Sequence, residues 1–383
     1  MRLLHTSDWH VGRSFHGAPL LEHQVTVLQA IVDVVRSEAV DLVVVAGDLY
    51  DRQLPPADAV DVMSWAVCEL RGAGAHVVAI AGNHDSAARV GFAEQVLTAA
   101  GVTIRGDAGR CGEPVIVAAG ADEAPVAVYP IPYLDPELAR HRLGVPDART
   151  HQAVLDVALD RARTELSARA GTRSVAVVHA FVAGGESCDS ERALAVGSSA
   201  EVGLRSMRGF DYVALGHLHR RQSLGDGRVR YAGSPLAYSF SERAHTKGVW
   251  LIELEAGGTV QATEVDLPVP RPLAAITGTL DELLRASHHT GAEDAWVHAT
   301  ITDTQLPPEA MVRLRARFPH AALLVHQPPA GPDRPELSYT ERLRDRSDLE
   351  LMLDFVEHVT GEPAGPAEEA DLVTAFAGVE GER

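Results

Sequence analysis

Val43-Val44-Val45-Ala46-Gly47-Asp48-Leu49-Tyr50-Asp51 is the stretch from which the rest of the chain is read. A valine-rich apolar run stops at a glycine, and a carboxylate follows at once. Such runs read as strands buried on both faces of a parallel sheet. In open α/β sheets, ligands sit just beyond the carboxyl ends of the strands, so Asp48 marks where a site is expected. The stretch alone does not decide this, because Gly-Asp also closes strands for turn reasons.

Working outward, Arg2 to Thr6 reads as a strand that ends at Ser7-Asp8-Trp9-His10. Val25, Leu28, Val32 and Val35 recur at helical spacing, predicting a helix over Glu22 to Ser37. The central strand covers Asp41 to Ala46. A helix after Pro55-Pro56 carries Val60, Met63, Val67 and Leu70, and a strand over His76 to Ala81 ends at Gly82-Asn83-His84-Asp85. Further on come a strand from Val126 to Tyr129 before a Pro130-Ile131-Pro132 turn and a helix over Thr150 to Ala170. A strand from Ser174 to Val178 then ends at His179. A glycine-rich loop, Ala183 to Gly203, leads to Asp211 to Leu215, which ends at Gly216-His217-Leu218-His219. Arg228 to Ala232 and Gly248 to Leu254 read as closing strands of a second sheet. Strand–helix alternation of this kind is the mark of a layered α/β fold.

Pro268, Pro270 and Pro272 mark a boundary, since proline cannot donate in a ladder and favours extended linkers. Beyond it a small α+β module is expected: strand Leu273 to Thr279, helix Leu280 to Ser287, strand Trp296 to Thr302, helix Pro308 to Phe318, strand Ala321 to His326. After the break at Gln327 to Pro332, Ser347-Asp348-Leu349-Glu350 fits a capping box. It opens an apolar helix through Val359, with Gly361 as its stop. Glu368 to Ala377 reads as a second short helix. No internal repeat is visible.

Composition bounds the function. The 383 residues are enough for two or three domains, and 46% are hydrophobic, ordinary for a globular protein. No apolar run approaches the roughly 18 to 20 residues needed to span a bilayer, so no membrane role is expected. The amino terminus lacks the apolar region and small-residue cleavage site of a signal peptide. Cys68, Cys111 and Cys188 are widely spaced, which predicts reduced thiols in a cytoplasmic protein and no thiolate metal cage. The net charge of −19 is unlike a free-standing nucleic-acid binder, so such a role needs local basic patches or a partner.

Past the strands lie Asp8 and His10, Asp48, Asn83 and His84, His179, and His217 with His219. Imidazole, carboxylate and amide oxygen suit hard-to-borderline divalent ions such as manganese. In D-x-H and H-x-H, alternating residues of an extended segment share a face, so both side chains can reach one ion. A bridging carboxylate lets two cations sit roughly 3.5 to 4 Å apart, the geometry for phosphate displacement, and Asp48 is the natural bridge. Each motif has a plainer reading. Asp8 and His10 alone fit a turn, Gly82 to Asp85 fits a tight turn, and His179 fits a packed core histidine. Two imidazoles at period two in Gly216-His217-Leu218-His219 are hardest to explain by packing. Five such signals, each at a strand end, point together to a metal site.

Asp8-x-His10, Gly47-Asp48-x-x-Asp51, Gly82-Asn83-His84-Asp85, His179 and Gly216-His217-x-His219 resemble the five motifs of calcineurin-like metallophosphoesterases. Within that superfamily four stretches are similar to the bacterial SbcD nuclease-subunit family of SbcCD DNA-repair complexes. These are Thr6 to Arg13, Asp211 to His219, Tyr231-Ala232-Gly233-Ser234-Pro235 and Ser239-Phe240-Ser241-Glu242. The likeness runs from Arg2 to about Leu254. It implies an α/β fold: a layered metallophosphoesterase β-sandwich flanked by helices, with a small α+β capping domain and a helical C-terminal tail. The corresponding boundaries are 1–267, 271–330 and 336–383.

The resemblance further implies that Asp8, His10, Asp48 and His219 hold one Mn2+, and that Asp48, Asn83, His179 and His217 hold another, with Mg2+ as a possible substitute. His84 would contact the scissile phosphate and protonate the departing sugar oxygen, Asp85 would orient His84, and Asp51 would support the site through hydrogen bonds. The implied activity is a DNA exonuclease and endonuclease on double-stranded ends and hairpins, serving repair, recombination and replication. The implied partner is an SbcC-type coiled-coil ATPase docked on the tail, where Leu349, Leu353, Val356 and Val359 form an apolar stripe. A homodimer is implied as well. Arg13, Arg89, Arg220 and Arg221 are the leading candidates for phosphate contact, with Arg205, Arg208, Arg313 and Arg317 behind them. Two other classes compete. A two-metal phosphatase or small-nucleotide phosphodiesterase has no need of a docking tail, and a metal-free scaffold has no need of a complete ligand set.

Overall fold

The computed structural model describes residues 1–118, 125–191, 200–329, 347–360 and 363–380. Part of the glycine-rich loop, part of the Gln327 to Pro332 break and the Gly361 stop lie outside them. The described chain divides into two units, Met1–Pro272 and Leu273–Arg383.

The first unit is built on two six-stranded sheets. In chain order the strands are β1 (Arg2–Thr6), a small hairpin β2 (Ser14–Phe15) and β3 (Ala18–Pro19), β4 (Leu42–Val45), β5 (His76–Ile80), β6 (Val102–Arg105), β7 (Val115–Val117) and β8 (Val126–Ile131). Then follow β9 (Arg173–His179), β10 (Tyr212–Gly216), β11 (Gln222–Leu224), β12 (Val229–Tyr231), β13 (Gly248–Leu254) and β14 (Val260–Asp266). One sheet runs β14-β13-β1-β4-β5-β6, the other β11-β12-β10-β9-β8-β7. In the first, β1, β4, β5 and β6 are parallel, and in the second, β12, β10, β9 and β8 are.

Period two sets the layers. Leu42 and Val44 of β4 pack with Val175 and Val177 of β9 and with Tyr212 and Ala214 of β10, in the core between the sheets. Val43 and Val45 point the other way, under α1 (Leu21–Ser37) and α2 (Ala57–Gly72). On the far side, Ala176 and Val178 of β9 and Val213 and Leu215 of β10 meet Val154, Leu155, Ala158 and Leu159 of a helix over His151–Ser167. The result is helices, sheet, sheet, helices, with all four residues of β4 buried as a parallel central strand requires.

Several boundaries differ from the sequence reading. Gly248–Leu254 does not close the second sheet: it pairs antiparallel with β1 in the first, Arg2 facing Glu253. An apolar run records burial, not its partner. Strand β8 runs on through Pro130 and Ile131 where a turn is expected. Proline is tolerated there because, among the described residues, β7 pairs with Val126 to Val128 and no further along that side. In α2 the buried face is Ala59, Met63, Ala66 and Leu70, while Val60 is exposed.

The second unit holds a parallel sheet, β15 (Leu273–Gly278), β16 (Trp296–Ile301) and β17 (Ala321–His326), in that spatial order. Leu280, Leu283, Val297, Ile301, Leu314 and Phe318 form its core with the helices Leu280–Arg285 and Ala310–Arg317. Helices Asp348–Thr360 and Pro366–Glu380 follow. The capping box at Ser347 is present: its Oγ accepts the Glu350 N–H (3.3 Å), and its own N–H donates to Glu350 Oε2 (2.7 Å).

Candidate metal centre

The carboxyl ends of β1, β4, β5, β9 and β10 converge, and each delivers polar side chains into one place. Asp8, His10, Asp48, His179, His217 and His219 are buried, Asn83 and His84 half-buried. Burying so many polar groups costs free energy unless something compensates them.

The backbone does not do this by staying extended, which corrects the alternation argument for D-x-H and H-x-H. Asp8, His10 and Asp48 have φ of 52°, 45° and 51°, and His217 has 106°. Left-handed conformations at non-glycine residues cost about 1–3 kcal/mol each and persist only where the surroundings enforce them. Here the loops after β1 and β4 hold one another: Asp8 N–H donates to Gly47 C=O (3.0 Å), His10 N–H to Asp48 C=O (2.9 Å) and Val11 N–H to Leu49 C=O (3.0 Å). Two glycines make the approach possible. A Cβ on Gly47, itself at φ +94°, would lie 2.3 Å from His179 Nδ1, and one on Gly82 would lie 2.1 Å from Asp48 Oδ1.

Asp48 sits between two donor groups. Its Oδ2 is 3.6 Å from His10 Nε2 and 3.6 Å from His179 Nε2, while Oδ1 accepts the His84 N–H at 2.9 Å. Asp8, His10 and His219 bring their donor atoms within 4.8 Å of one another, as do Asp48, His179 and His217, and also His10, Asp48 and His84. Asn83 Oδ1 lies 2.8 Å from His179 Nε2 and 3.2 Å from His217 Nδ1.

These residues fit divalent cations. His179 Nδ1 lies 2.8 Å from the Ala46 carbonyl, which can only accept, so Nδ1 carries the proton and Nε2 is a bare lone pair. That lone pair faces two oxygens, Asn83 Oδ1 and Asp48 Oδ2, an arrangement that repels itself unless a cation lies among them. Burial holds His10, His217 and His219 well below the usual histidine range and His179 below it, in the neutral form that ligates metal. Burial, and then the charge of Asp48, push the Asp8 carboxyl up. His10 Nδ1 and Asn83 Nδ2 are buried with no hydrogen-bond partner.

His84 stands beside this centre on an open cleft of about 580 Å³, lined also by Arg13, Ser14, Asp51, Arg52 and Gln53. Its Nδ1 donates to the Asp51 backbone C=O at 2.8 Å, which leaves Nε2 as the exchangeable position. The expectation that Asp85 orients His84 is corrected. The Asp85 carboxylate instead accepts the N–H groups of Leu49 (3.0 Å), Tyr50 (3.0 Å) and Gly82 (2.8 Å), tying the ends of β4 and β5 together. Burial and the nearby Asp48 raise its pKa to about 7. The carbonyl of Asp51, not its carboxylate, is what holds the ring.

The arginines divide. Arg13 lies over the Tyr238 ring, 4.9 Å from its centroid, and donates to the Ser190 carbonyl at 2.9 Å. Arg221 is committed to Glu264 (2.8 Å) and Asp266 (2.7 Å), Arg220 to Glu186, and Arg317 to Glu293 (3.0 Å). Arg52 is exposed on the His84 cleft, its guanidinium 4.0 Å from the Asp51 carboxylate. No local sequence signal marks Gln24, whose amide accepts the Gly12 N–H (2.9 Å) and donates to the His10 carbonyl (2.7 Å), nor Ser190 and Lys247, which lie beneath His219 with Glu242 of the family-like Ser239 to Glu242 stretch.

Residues 1–221 match the family described as calcineurin-like phosphoesterase. The chain belongs to that family. As a calcineurin-like phosphoesterase with this donor set, it is a metal-dependent phosphoester hydrolase. Residues 269–360 match SbcD_C, described as the type 5 capsule protein repressor C-terminal domain, a combination in keeping with an SbcD-like family. Among solved structures, the calcineurin-like phosphoesterase YfkN from Bacillus subtilis is similar over 70% of this chain and 89% of its own (13% identity, TM-score 0.38). A dimetal phosphatase from Danio rerio is similar over 70% and 99% (13% identity, TM-score 0.39). GAP50, the anchor in the inner membrane complex of Plasmodium, is similar over 87% and 99% (11% identity, TM-score 0.39). Among the described residues no helix is long and apolar enough to cross a membrane.

Proposed function

We propose that this phosphoesterase is a manganese-dependent DNA nuclease, cutting phosphodiester bonds at duplex ends and hairpins together with an SbcC-type ATPase. The observation that carries the reading is Asp48 Oδ2 midway between His10 and His179, with His84 on the open cleft alongside. Asp8, His10, Asp48 and His219 would hold one Mn2+; Asp48, Asn83, His179 and His217 would hold the other. The chemistry the cations supply when bound is charge neutralisation at the phosphate and activation of water. The chain's own part is positional and acid–base. With His84 Nδ1–H fixed on the Asp51 carbonyl, only Nε2 can give a proton to the departing sugar oxygen. Arg13 and Arg52, 3.6 and 4.0 Å from the Asp51 carboxylate between them, set two positive charges against one negative on the cleft, a local exception to the acidic whole that suits neighbouring phosphates.

The match of residues 269–360 supports the SbcC-type partner, and exposed Phe355 and Val359 on the helix Asp348–Thr360 supply an apolar surface for it. In this reading 1–267 is the nuclease domain, 271–330 the capping domain and 336–383 the docking tail. The protein is cytoplasmic, consistent with its three free cysteines. Exposed Phe92 and Val96 support pairing with a second copy, which light scattering tests. The deciding experiment is an assay on defined DNA ends with manganese, with and without ATP and the partner. Turnover of cyclic nucleotides with no cutting of DNA would replace this reading by a small-nucleotide phosphodiesterase.

A further inference from the structure

Of the 34 basic residues in the sequence, Lys247 is the one lysine. It is buried, and its ammonium donates to three acceptors: the His219 carbonyl (2.9 Å), Ser234 Oγ (2.9 Å) and Glu242 Oε2. Three donors on a compact tetrahedral centre match that set, whereas a planar guanidinium does not. Glu242, also buried, turns its other oxygen, Oε1, to Ser190 Oγ (2.6 Å) and to the Tyr238 N–H (3.0 Å). Ser190 Oγ in turn lies 2.7 Å from His219 Nδ1.

The direction of each bond follows from the inventory. Ser190 has one hydroxyl proton, and an ionised Glu242 can only accept, so that proton goes to Glu242. Toward His219 the serine oxygen is then an acceptor, which requires the proton of the imidazole on Nδ1. His219 Nε2 is left bare, 3.1 Å from His10 Nε2 and on the side of the ring that faces Asp8 and His10. We propose that Lys247, Glu242 and Ser190 form a buried relay that sets the tautomer of His219 and so presents Nε2 for ligation. All three are positioning residues. The inference rests on the metal reading above for its consequence, but the tautomer is a property of the metal-free chain.

The test has two arms on the full chain. Long-range 1H–15N NMR of ring-labelled histidine in metal-free protein, with His219→Gln to assign the signal, reads the tautomer. Wild type should show His219 protonated on Nδ1, and Ser190→Thr should keep that signature. Ser190→Val, which has nearly the shape of the threonine variant without its hydroxyl, should lose it, and Lys247→Arg should weaken it. Titration with manganese alone should show binding about 10- to 100-fold weaker in Ser190→Val than in wild type, with Ser190→Thr close to wild type. A wild-type His219 protonated on Nε2 overturns the relay. So does a Ser190→Val chain with wild-type tautomer and affinity. If the valine variant does not fold, the wild-type tautomer decides alone. A wild-type chain that takes up no manganese defeats the metal reading instead, while its spectrum still decides the relay.

Discussion

Asp48 is one carboxylate with two separate duties. Oδ1 is bound to the His84 backbone, and Oδ2 is shared between the imidazoles of His10 and His179. Asp48→Asn should therefore abolish uptake of both ions in a manganese titration, whereas His10→Ala should mainly weaken one. Equal loss in the two variants would break the assignment. His84 touches the centre only from its edge, so His84→Ala should remove the proposed DNA cutting while manganese still binds. Cutting that persists in that variant takes His84 out of the mechanism. Gly82 tests the packing beneath them. An added Cβ would lie 2.1 Å from Asp48 Oδ1, so Gly82→Ala should displace the carboxylate and lower manganese affinity at least as much as His10→Ala does. An unchanged isotherm would show that the loop gives way without cost.

Strands β1, β4, β5, β9 and β10 were readable because each is an apolar run buried on both faces and stopped by glycine or a polar residue. Short β6 and β7 and the alternately exposed β14 are not legible in this way, since three or four residues, or a half-exposed edge, leave no distinct pattern. Leu42 measures how much the junction of the two sheets matters, being fully buried between them. Leu42→Ala should cost about 2–5 kcal/mol in urea unfolding, through lost burial and the cavity left behind. A cost under about 1 kcal/mol would mean the sheets close over the gap. At the other end of the chain, Phe355 and Val359 lie exposed, so Phe355→Asp with Val359→Asp should abolish capture of the proposed SbcC-type partner. Manganese binding should be unchanged. Capture that survives would place docking elsewhere.

Stability against acid reflects how the two sheets are joined. His5 of β1 is fully buried against β10: its Nε2–H donates to the Leu215 carbonyl (3.1 Å), and its Nδ1 accepts from the Tyr212 hydroxyl (2.8 Å). Burial lowers its pKa to about 3. Below about pH 6.5 the unfolded chain takes up a proton that the folded chain refuses, so this group costs stability as pH falls from 6.5 toward 3. Asp85, raised to about 7, has the opposite sign, gaining stability as pH falls through 7. Comparing wild type with His5→Gln cancels the Asp85 effect. Relative to the variant, wild type should lose up to roughly 1.4 kcal/mol per pH unit between pH 6 and 4 in urea unfolding. Parallel curves would show that His5 can charge in place.

The inventory of the centre was written locally. Which residues follow which strand, and that their chemistry is imidazole, carboxylate and amide, depend on stretches of three to nine residues whose period and glycine stops need no distant partner. What the tertiary structure decided lies in hydrogen bonds across long separations. His84 is held by Asp51, 33 residues away, and not by its neighbour Asp85. Gly248–Leu254 joins the sheet of β1 across some 250 residues. Asp8, His10 and Asp48 are forced left-handed by each other's loops. Lys247 reaches back 28 residues to the carbonyl of His219. A side chain's type is set by its codon, but the atom it turns to the site is set by whichever partner takes the other one, and that partner is known only once the chain has folded.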